Sequence, residues 1–299
     1  MNKVMYLTPS VTAFKEDQTL DIASNENLFS HLYKGGMDGI VIMGSTGEFY
    51  SMSKDEKMTL IDIAANATKN KCKLFVGTGS MDINETIELS NYAIKKGAEA
   101  VMIIGQYYFS LSNESIITYF DKIANKVDGN IYLYNFPDRT GYDLNKELTY
   151  KLLENNKNIV GFKDTVNALP HTRELINYTK NDFPYFTILS GYDENLAHIA
   201  LSGGDGVIGA LSNLYPELFA KWVKAINTKN IDEISRIQKI VDKLMELYSI
   251  STPFIPTMKK ALQQKGIISS DTCKSPLNKI NNHQLKALND ILNKVEKMF

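Results

Sequence analysis

Lys163 follows the apolar run Ile159-Val160-Gly161-Phe162. Burial at such a place disfavours the ammonium form, and a free amine can attack a ketone to form a Schiff base. The alternative is a strand-end lysine that snorkels to solvent on its aliphatic stem. Tyr134, in Tyr132-Leu133-Tyr134-Asn135, is a second candidate. A phenol beside such an amine can pass protons to and from the carbinolamine and a substrate hydroxyl, or it can simply pack its ring in the core. Gly44-Ser45-Thr46-Gly47 offers backbone N–H groups and two hydroxyls at the start of a helix. That is a seat for a carboxylate, or else a plain N-cap turn. Arg139 carries the planar fork that grips a carboxylate, although exposed loop arginines are common. Gly203-Gly204-Asp205-Gly206 has the composition of a barrel phosphate loop, and helix C-capping accounts for its glycines equally well.

Two chemistries lack their residues. The histidines His31, His171, His198 and His283 are scattered and show neither HxH nor HExxH spacing, so no catalytic metal is expected. No G-x-G-x-x-G follows a strand, and Gly77-Thr78-Gly79-Ser80 is too short a match for a dinucleotide site.

The elements that must position these residues alternate short β-branched runs with amphipathic stretches. Strands are predicted at Val4–Leu7, Gly39–Met43, Leu74–Gly77, Ala100–Ile104, Ile131–Asn135, Ile159–Lys163, Thr187–Ser190 and Gly206–Gly209. Apolar residues at helical spacing lie between them, such as Ile116, Ile117, Phe120 and Ile123. Lys34-Gly35-Gly36, Lys96-Gly97 and Ser202-Gly203-Gly204 read as left-handed helix ends. Eight strand–helix units in a row need parallel strands, and eight suffice to close an α/β (β/α)8 TIM barrel, whose active site lies at the C-terminal strand ends. The barrel is assigned to residues 1–228, with an eighth helix over about Glu217–Thr228, and a packed C-terminal helical extension to residues 229–299. In the extension, helical stretches are predicted from Asp232 to Tyr248 and from Phe254 to the end, punctuated by Ser251-Thr252-Pro253.

Composition narrows the partners. Lys+Arg 33 against Asp+Glu 34 leaves a net charge of -1, which favours neither nucleic acid nor an anionic membrane. With 43% hydrophobic and 22% charged residues the chain fits a globular class and can bury a sizeable core. No apolar run approaches the about 20 residues of a membrane span, and the first residues lack a signal-peptide pattern. Cys72 and Cys273 stand far apart, which suits a reducing cytoplasm.

Taken together, these strand ends resemble the dihydrodipicolinate synthase / N-acetylneuraminate lyase family of pyruvate-dependent class I aldolases. The similarity runs from about Thr8 to Ile267. It is carried by Gly44-Ser45-Thr46-Gly47-Glu48, Tyr134-Asn135-Phe136-Pro137 with Thr140-Gly141, and Gly161-Phe162-Lys163-Asp164-Thr165. The resemblance implies Lys163 as the Schiff-base lysine for a 2-keto acid, with no separate cofactor, and Tyr134 as the proton-transfer tyrosine. It implies that Ser45 and Thr46 hold the pyruvate carboxylate and that Ser45 joins the proton relay. Tyr108 matches the tyrosine that completes a neighbouring subunit's site, and Gly191 and the Ile208 backbone match pocket-lining positions. A homotetramer built as a dimer of dimers is implied as well.

Three branches of the family divide the specificity residues. Dihydrodipicolinate synthases place an arginine where Arg139 stands, but differ at Ser45 and at Gly191-Tyr192-Asp193-Glu194. Lys54 and Lys57 fall where lysine-inhibited synthases bind their effector, and two further ammonium groups would repel it. Sialic acid lyases share Ser45-Thr46, Thr165, Gly191, Asp193 and Glu194, which suit a polyol chain, but carry a serine in place of Ala210. The 2-keto-3-deoxy sugar acid aldolases are similar over longer stretches, including Gln106-Tyr107-Tyr108 and Thr252-Pro253-Phe254, and Arg139 is atypical among them. The expected activity is therefore cleavage of a 2-keto-3-deoxy sugar acid to pyruvate and an aldehyde. The alternatives are the synthase, the sialic acid lyase, and a keto-acid sensor without turnover.

Overall fold

The computed structural model describes residues 3–299. Its strands are β1 (Met5–Pro9), β2 (Gly39–Ile42), β3 (Lys73–Gly77), β4 (Ala100–Ile104), β5 (Ile131–Asn135), β6 (Ile159–Asp164), β7 (Thr187–Ser190) and β8 (Gly206–Ile208). They follow one another in sequence order around a closed barrel, parallel wherever pairing is recorded. The helices are α1 (Ile22–Lys34), α2 (Lys54–Thr68), α3 (Ile83–Lys95), α4 (Asn113–Ala124), α5 (Pro137–Thr140), α6 (Lys146–Asn155), α7 (Leu169–Thr179), α8 (Leu196–Leu201), α9 (Pro216–Asn227), α10 (Ile231–Leu244), α11 (Ile255–Gln264) and α12 (Asn282–Glu296). The expected α/β barrel with C-terminal helices is the fold observed. No helix among the described residues is long and apolar enough to cross a membrane.

The chain divides into two compact units. One comprises Leu74–Ile208 with the segment ending at Met5. Its strands are buried along nearly their whole length, as parallel strands covered by crossover helices must be. Phe75 meets Tyr132 edge to face at 5.3 Å, and Phe162 meets Phe186 at 6.3 Å. A Cβ on Gly161 would fall 2.3 Å from the Tyr132 ring, so only glycine lets that ring lie across β6. The other unit comprises Tyr6–Lys73 and Gly209–Phe299. Here β1 pairs with β2, and Tyr6, Phe219 and the fully buried Trp222 pack in sequence. Helix α2 starts on a full capping box, Ser53 with Glu56.

Strand edges move by one or two residues from the predicted ones. The β2 strand stops at Ile42 because Met43 turns to φ 55. The helical run expected from Phe254 to the end is broken: α11 stops at Gln264, followed by Gly266 at φ 68, and α12 starts afresh on a capping box at Asn281. The Gly203–Gly206 segment is no phosphate loop, because it precedes β8 and so lies at the N-terminal strand ends. Asp205 there binds Lys180 at 2.6 Å and accepts from the Ile188 amide, and Gly206 (φ 141) lies against the Met5 carbonyl.

Candidate active site

Strands β5 and β6 run in register, Tyr134 opposite Lys163 and Asn135 opposite Asp164. Side chains alternate between the two faces of a strand, so Tyr134 and Lys163 share one face while Asn135 and Asp164 share the other. Lys163 is buried, only 6% exposed, and its Nζ lies 4.2 Å from the centroid of the equally buried Tyr134 ring. Two sequence-predicted residues are thereby brought together. The ring face favours positive charge at that nitrogen, whether ammonium or iminium, against the cost of burying it. Phe136 stacks on Tyr134 at 6.0 Å, and the exposed Arg139 lies over Phe136 at 5.0 Å. Arg139 is carried on the single turn α5, which begins at Pro137 and ends at Gly141 in the left-handed region.

The β6–β7 ends supply the next group. Thr165 follows β6, and its buried Oγ1 has no hydrogen-bond partner among the described residues. A Cβ on Gly191 would sit 2.1 Å from that oxygen, so Gly191 is what leaves room for the hydroxyl. Beyond it, Tyr192, Asp193 and Glu194 turn into a short 3₁₀ segment, with Asp193 fully buried. Burial and the charges of Asp138 and Glu194 push the Tyr192 phenol up. This end of the unit is net acidic despite Arg139. Ile208 closes β8 and is buried. Tyr108 is the opposite case: it is 79% exposed, edge to face with Phe109.

Behind Tyr134 and Lys163 lies a polar network that the sequence did not disclose. Asn135 Nδ2 donates to Asp143 at 2.7 Å and to Asp164 at 3.1 Å. His171, in the first turn of α7, bonds Asp164 through Nδ1 at 2.8 Å and Asp143 through Nε2 at 3.0 Å. Thr172 Oγ1 adds a 2.6 Å bond to Asp164. Burial opposes the charge on His171, but two carboxylate acceptors outweigh it and push the imidazole up to about 10. Burial likewise raises Asp143, and the hydrogen bonds from His171 and Asn135 reverse this and hold its carboxyl below the usual range. His171 is therefore an imidazolium at neutral pH. With its folded value above the unfolded one, its stabilising share is whole below about pH 6.5, is lost progressively as pH rises from there, and is gone above about 10.

In the other unit, Ser45 and Thr46 follow β2. The helix start expected there is only a 3₁₀ turn, Ser45–Gly47, and α2 begins later, at Lys54. The segment is bracketed by two non-glycine residues in the left-handed region, Met43 (φ 55) and Glu48 (φ 57). Each costs of order 1–3 kcal/mol, and such strain collects where a site demands a particular backbone. Fixed partners hold it in place. Thr12 Oγ1 donates to the Gly47 carbonyl at 2.7 Å. The wholly buried Glu48 pairs with the wholly buried Lys259 at 2.5 Å and accepts from the Lys274 amide at 2.8 Å. Lys259 in turn lies over Phe14 and donates to the Thr272 carbonyl. Removing one partner strands the other charge in the core, so Lys259→Met is expected to lower unfolding free energy by about 3–5 kcal/mol in urea titration. A loss below about 1 kcal/mol would put this pair among the weak ones.

Comparison with known proteins bears on this arrangement. The sequence profile of the Dihydrodipicolinate synthetase family matches residues 3–295. Among curated relatives, the "Putative 2-dehydro-3-deoxy-D-gluconate aldolase YagE" of Escherichia coli (strain K12) is 33% identical over 285 residues, 94% of each chain. The "Probable 2-dehydro-3-deoxy-D-pentonate aldolase YjhH" of the same organism is 32% identical, over 93% of this chain and 92% of the relative. The 4-hydroxy-tetrahydrodipicolinate synthase of Thermosipho africanus (strain TCF52B) is 34% identical, over 88% of this chain and 89% of the relative. Among solved structures, E. coli YagE in complex with pyruvate superposes with a TM-score of 0.95 at 31% identity, over 98% of both chains.

Proposed function

The chain belongs to the dihydrodipicolinate synthetase family and is a carbon–carbon lyase, and from that premise we propose that it cleaves a 2-keto-3-deoxy sugar acid to pyruvate and an aldehyde. The observation that carries this reading is the buried Lys163 amine seated on the Tyr134 ring at adjacent strand ends. The Lys163 amine adds to the C2 carbonyl, and loss of water gives the iminium. Tyr134 moves the protons of that exchange. Removal of the proton on the C4 hydroxyl then breaks the C3–C4 bond, and the electron pair passes into the iminium, giving an enamine and free aldehyde. Protonation at C3 and hydrolysis return pyruvate and the amine. Ser45 and Thr46 are assigned the keto-acid carboxylate on their motif and their place after β2, with Ser45 in the proton relay and the Ile208 backbone lining the pocket. No separate cofactor enters this scheme.

The leaving part of the substrate favours a sugar chain. The buried, unpartnered hydroxyl of Thr165 beside Gly191 would gain a bond from a substrate hydroxyl, and Asp193 and Glu194 are acceptors for more. The net acidic setting disfavours a second carboxylate there. Arg139 supports the other reading, condensation of pyruvate with aspartate semialdehyde. Pyruvate release from 2-keto-3-deoxygluconate, its pentonate analogue and N-acetylneuraminate tests the first, and turnover of pyruvate with aspartate semialdehyde tests the second. Under the sugar-acid reading, Arg139→Ala is expected to change KM less than about threefold. If Arg139 grips a carboxylate, KM for that substrate should instead rise about ten- to a hundredfold, the worth of a charge-assisted pair. The exposed Tyr108–Phe109 pair supports burial against a second copy, as in a dimer of dimers.

A further inference from the structure

We propose that His171 is a positioning residue for the Schiff-base reaction, closing a ring of side chains with Asn135, Asp143 and Asp164 that pins the strand ends presenting Tyr134 and Lys163. The inference rests on the reading above that Lys163 forms the Schiff base. Asn135 and Asp164 are the immediate chain neighbours of Tyr134 and Lys163 and sit opposite one another in the β5–β6 register. A shift in either therefore moves the reacting pair.

The ring is closed by four contacts: Asn135 to Asp143, Asp143 to His171, His171 to Asp164, and Asp164 to Asn135, at 2.7, 3.0, 2.8 and 3.1 Å. It also captures two flanking segments. Asn135 Oδ1 accepts from the Leu144 amide at 3.0 Å, fixing the chain that leaves α5, and Thr172 ties Asp164 to α7. Without His171, Asp164 and Asp143 are two carboxylates sharing one asparagine amide, with the Thr172 hydroxyl left on Asp164 and no cation between them. The Asp164 side chain is wholly buried, so its charge cannot be relieved by water. The two carboxylates repel, and the β5 and β6 ends that they anchor move apart. Displacement of reacting groups by about 1 Å is enough to cost on the order of a hundredfold in rate.

The test is the rate at which pyruvate and borohydride trap the imine on the full-length chain, measured beside thermal unfolding. His171→Leu is expected to slow trapping about ten- to a hundredfold at a temperature where circular dichroism shows it folded, with the pyruvate concentration for half-maximal rate within about twofold. Lys180→Met is the comparison: it breaks the Lys180–Asp205 ion pair at the opposite strand ends and should lose stability with trapping unchanged. Asp143→Asn keeps the side-chain volume, removes the charge and turns one of the two acceptor oxygens that bind Asn135 and His171 into an amide donor, and is expected to slow trapping less than His171→Leu. It carries the test alone if His171→Leu does not fold. Trapping at the wild-type rate in a folded His171→Leu or Asp143→Asn overturns the proposal. So does slowing in Lys180→Met that matches its lost stability as closely as in the His171 variant. If the wild-type chain is not trapped at all, the Schiff-base reading itself has failed, a distinguishable result.

Discussion

Lys163→Met is expected to abolish turnover, with kcat lower by about 10⁴- to 10⁶-fold, as when the nucleophile of a catalytic unit is removed. Methionine is unbranched and apolar and can occupy the same channel beside the Tyr134 ring. The loss would then be one of chemistry and not of packing. A buried lysine head group costs desolvation that a thioether does not, so the variant is expected to unfold no earlier than wild type. Lys163→Arg should be equally inactive, because a guanidinium stays protonated and cannot add to a ketone. Of the other buried lysines, Lys259 is held by the Glu48 carboxylate and is unsuited to replace it. Two measurements check this together: pyruvate release, and the mass of the chain after borohydride reduction with pyruvate, which should gain the adduct in wild type only. Activity above about one per cent in Lys163→Met would sink the Schiff-base mechanism, since no step of it proceeds without the amine.

What could be read from the sequence follows from which signals are local. Lys163 and Tyr134 close apolar β-branched runs, and the period-two pattern that marks β5 and β6 also decides which residues share a face. Thr165 with Gly191 was legible only as a motif. The reason for that glycine, a hydroxyl from the preceding strand end 2.1 Å from where its Cβ would be, is a tertiary fact. The composition of Ser45–Gly47 suits an N-cap and so predicts the start of a helix there. Left-handed Glu48 delays the helix to Lys54, and what makes Glu48 tolerable is Lys259, far along the chain. His171 shows the same limit. Judged by spacing to other histidines it is isolated, and only the β5–β6 register and the first turn of α7 bring two carboxylates to its two nitrogens. Patterns of period fix elements and faces, while charges satisfied across long loops leave no local trace.

Tyr134→Phe is expected to lower kcat by about 10²- to 10⁴-fold with KM changed only severalfold, the range for loss of a general acid–base group. The substitution separates two duties of one side chain. Its ring supports Lys163 Nζ at 4.2 Å and stacks on Phe136, and phenylalanine keeps both contacts. Only the phenolic oxygen is lost, so substrate binding and the seating of the amine should survive while proton transfer does not. Tyr134→Ala removes the ring as well and should fall further, through looser placement of the amine. Imine trapping tells the stages apart. Carbinolamine dehydration needs a proton delivered to the leaving hydroxyl, so trapping by pyruvate and borohydride should already be slow in Tyr134→Phe, before any carbon–carbon bond is at stake. If trapping is normal and only cleavage is slow, the phenol acts at the C4 hydroxyl alone and the dehydration proton comes from another group, with the Ser45 hydroxyl the first to substitute. If both are within about tenfold of wild type, proton transfer does not pass through Tyr134, and its ring is merely the surface on which Lys163 rests.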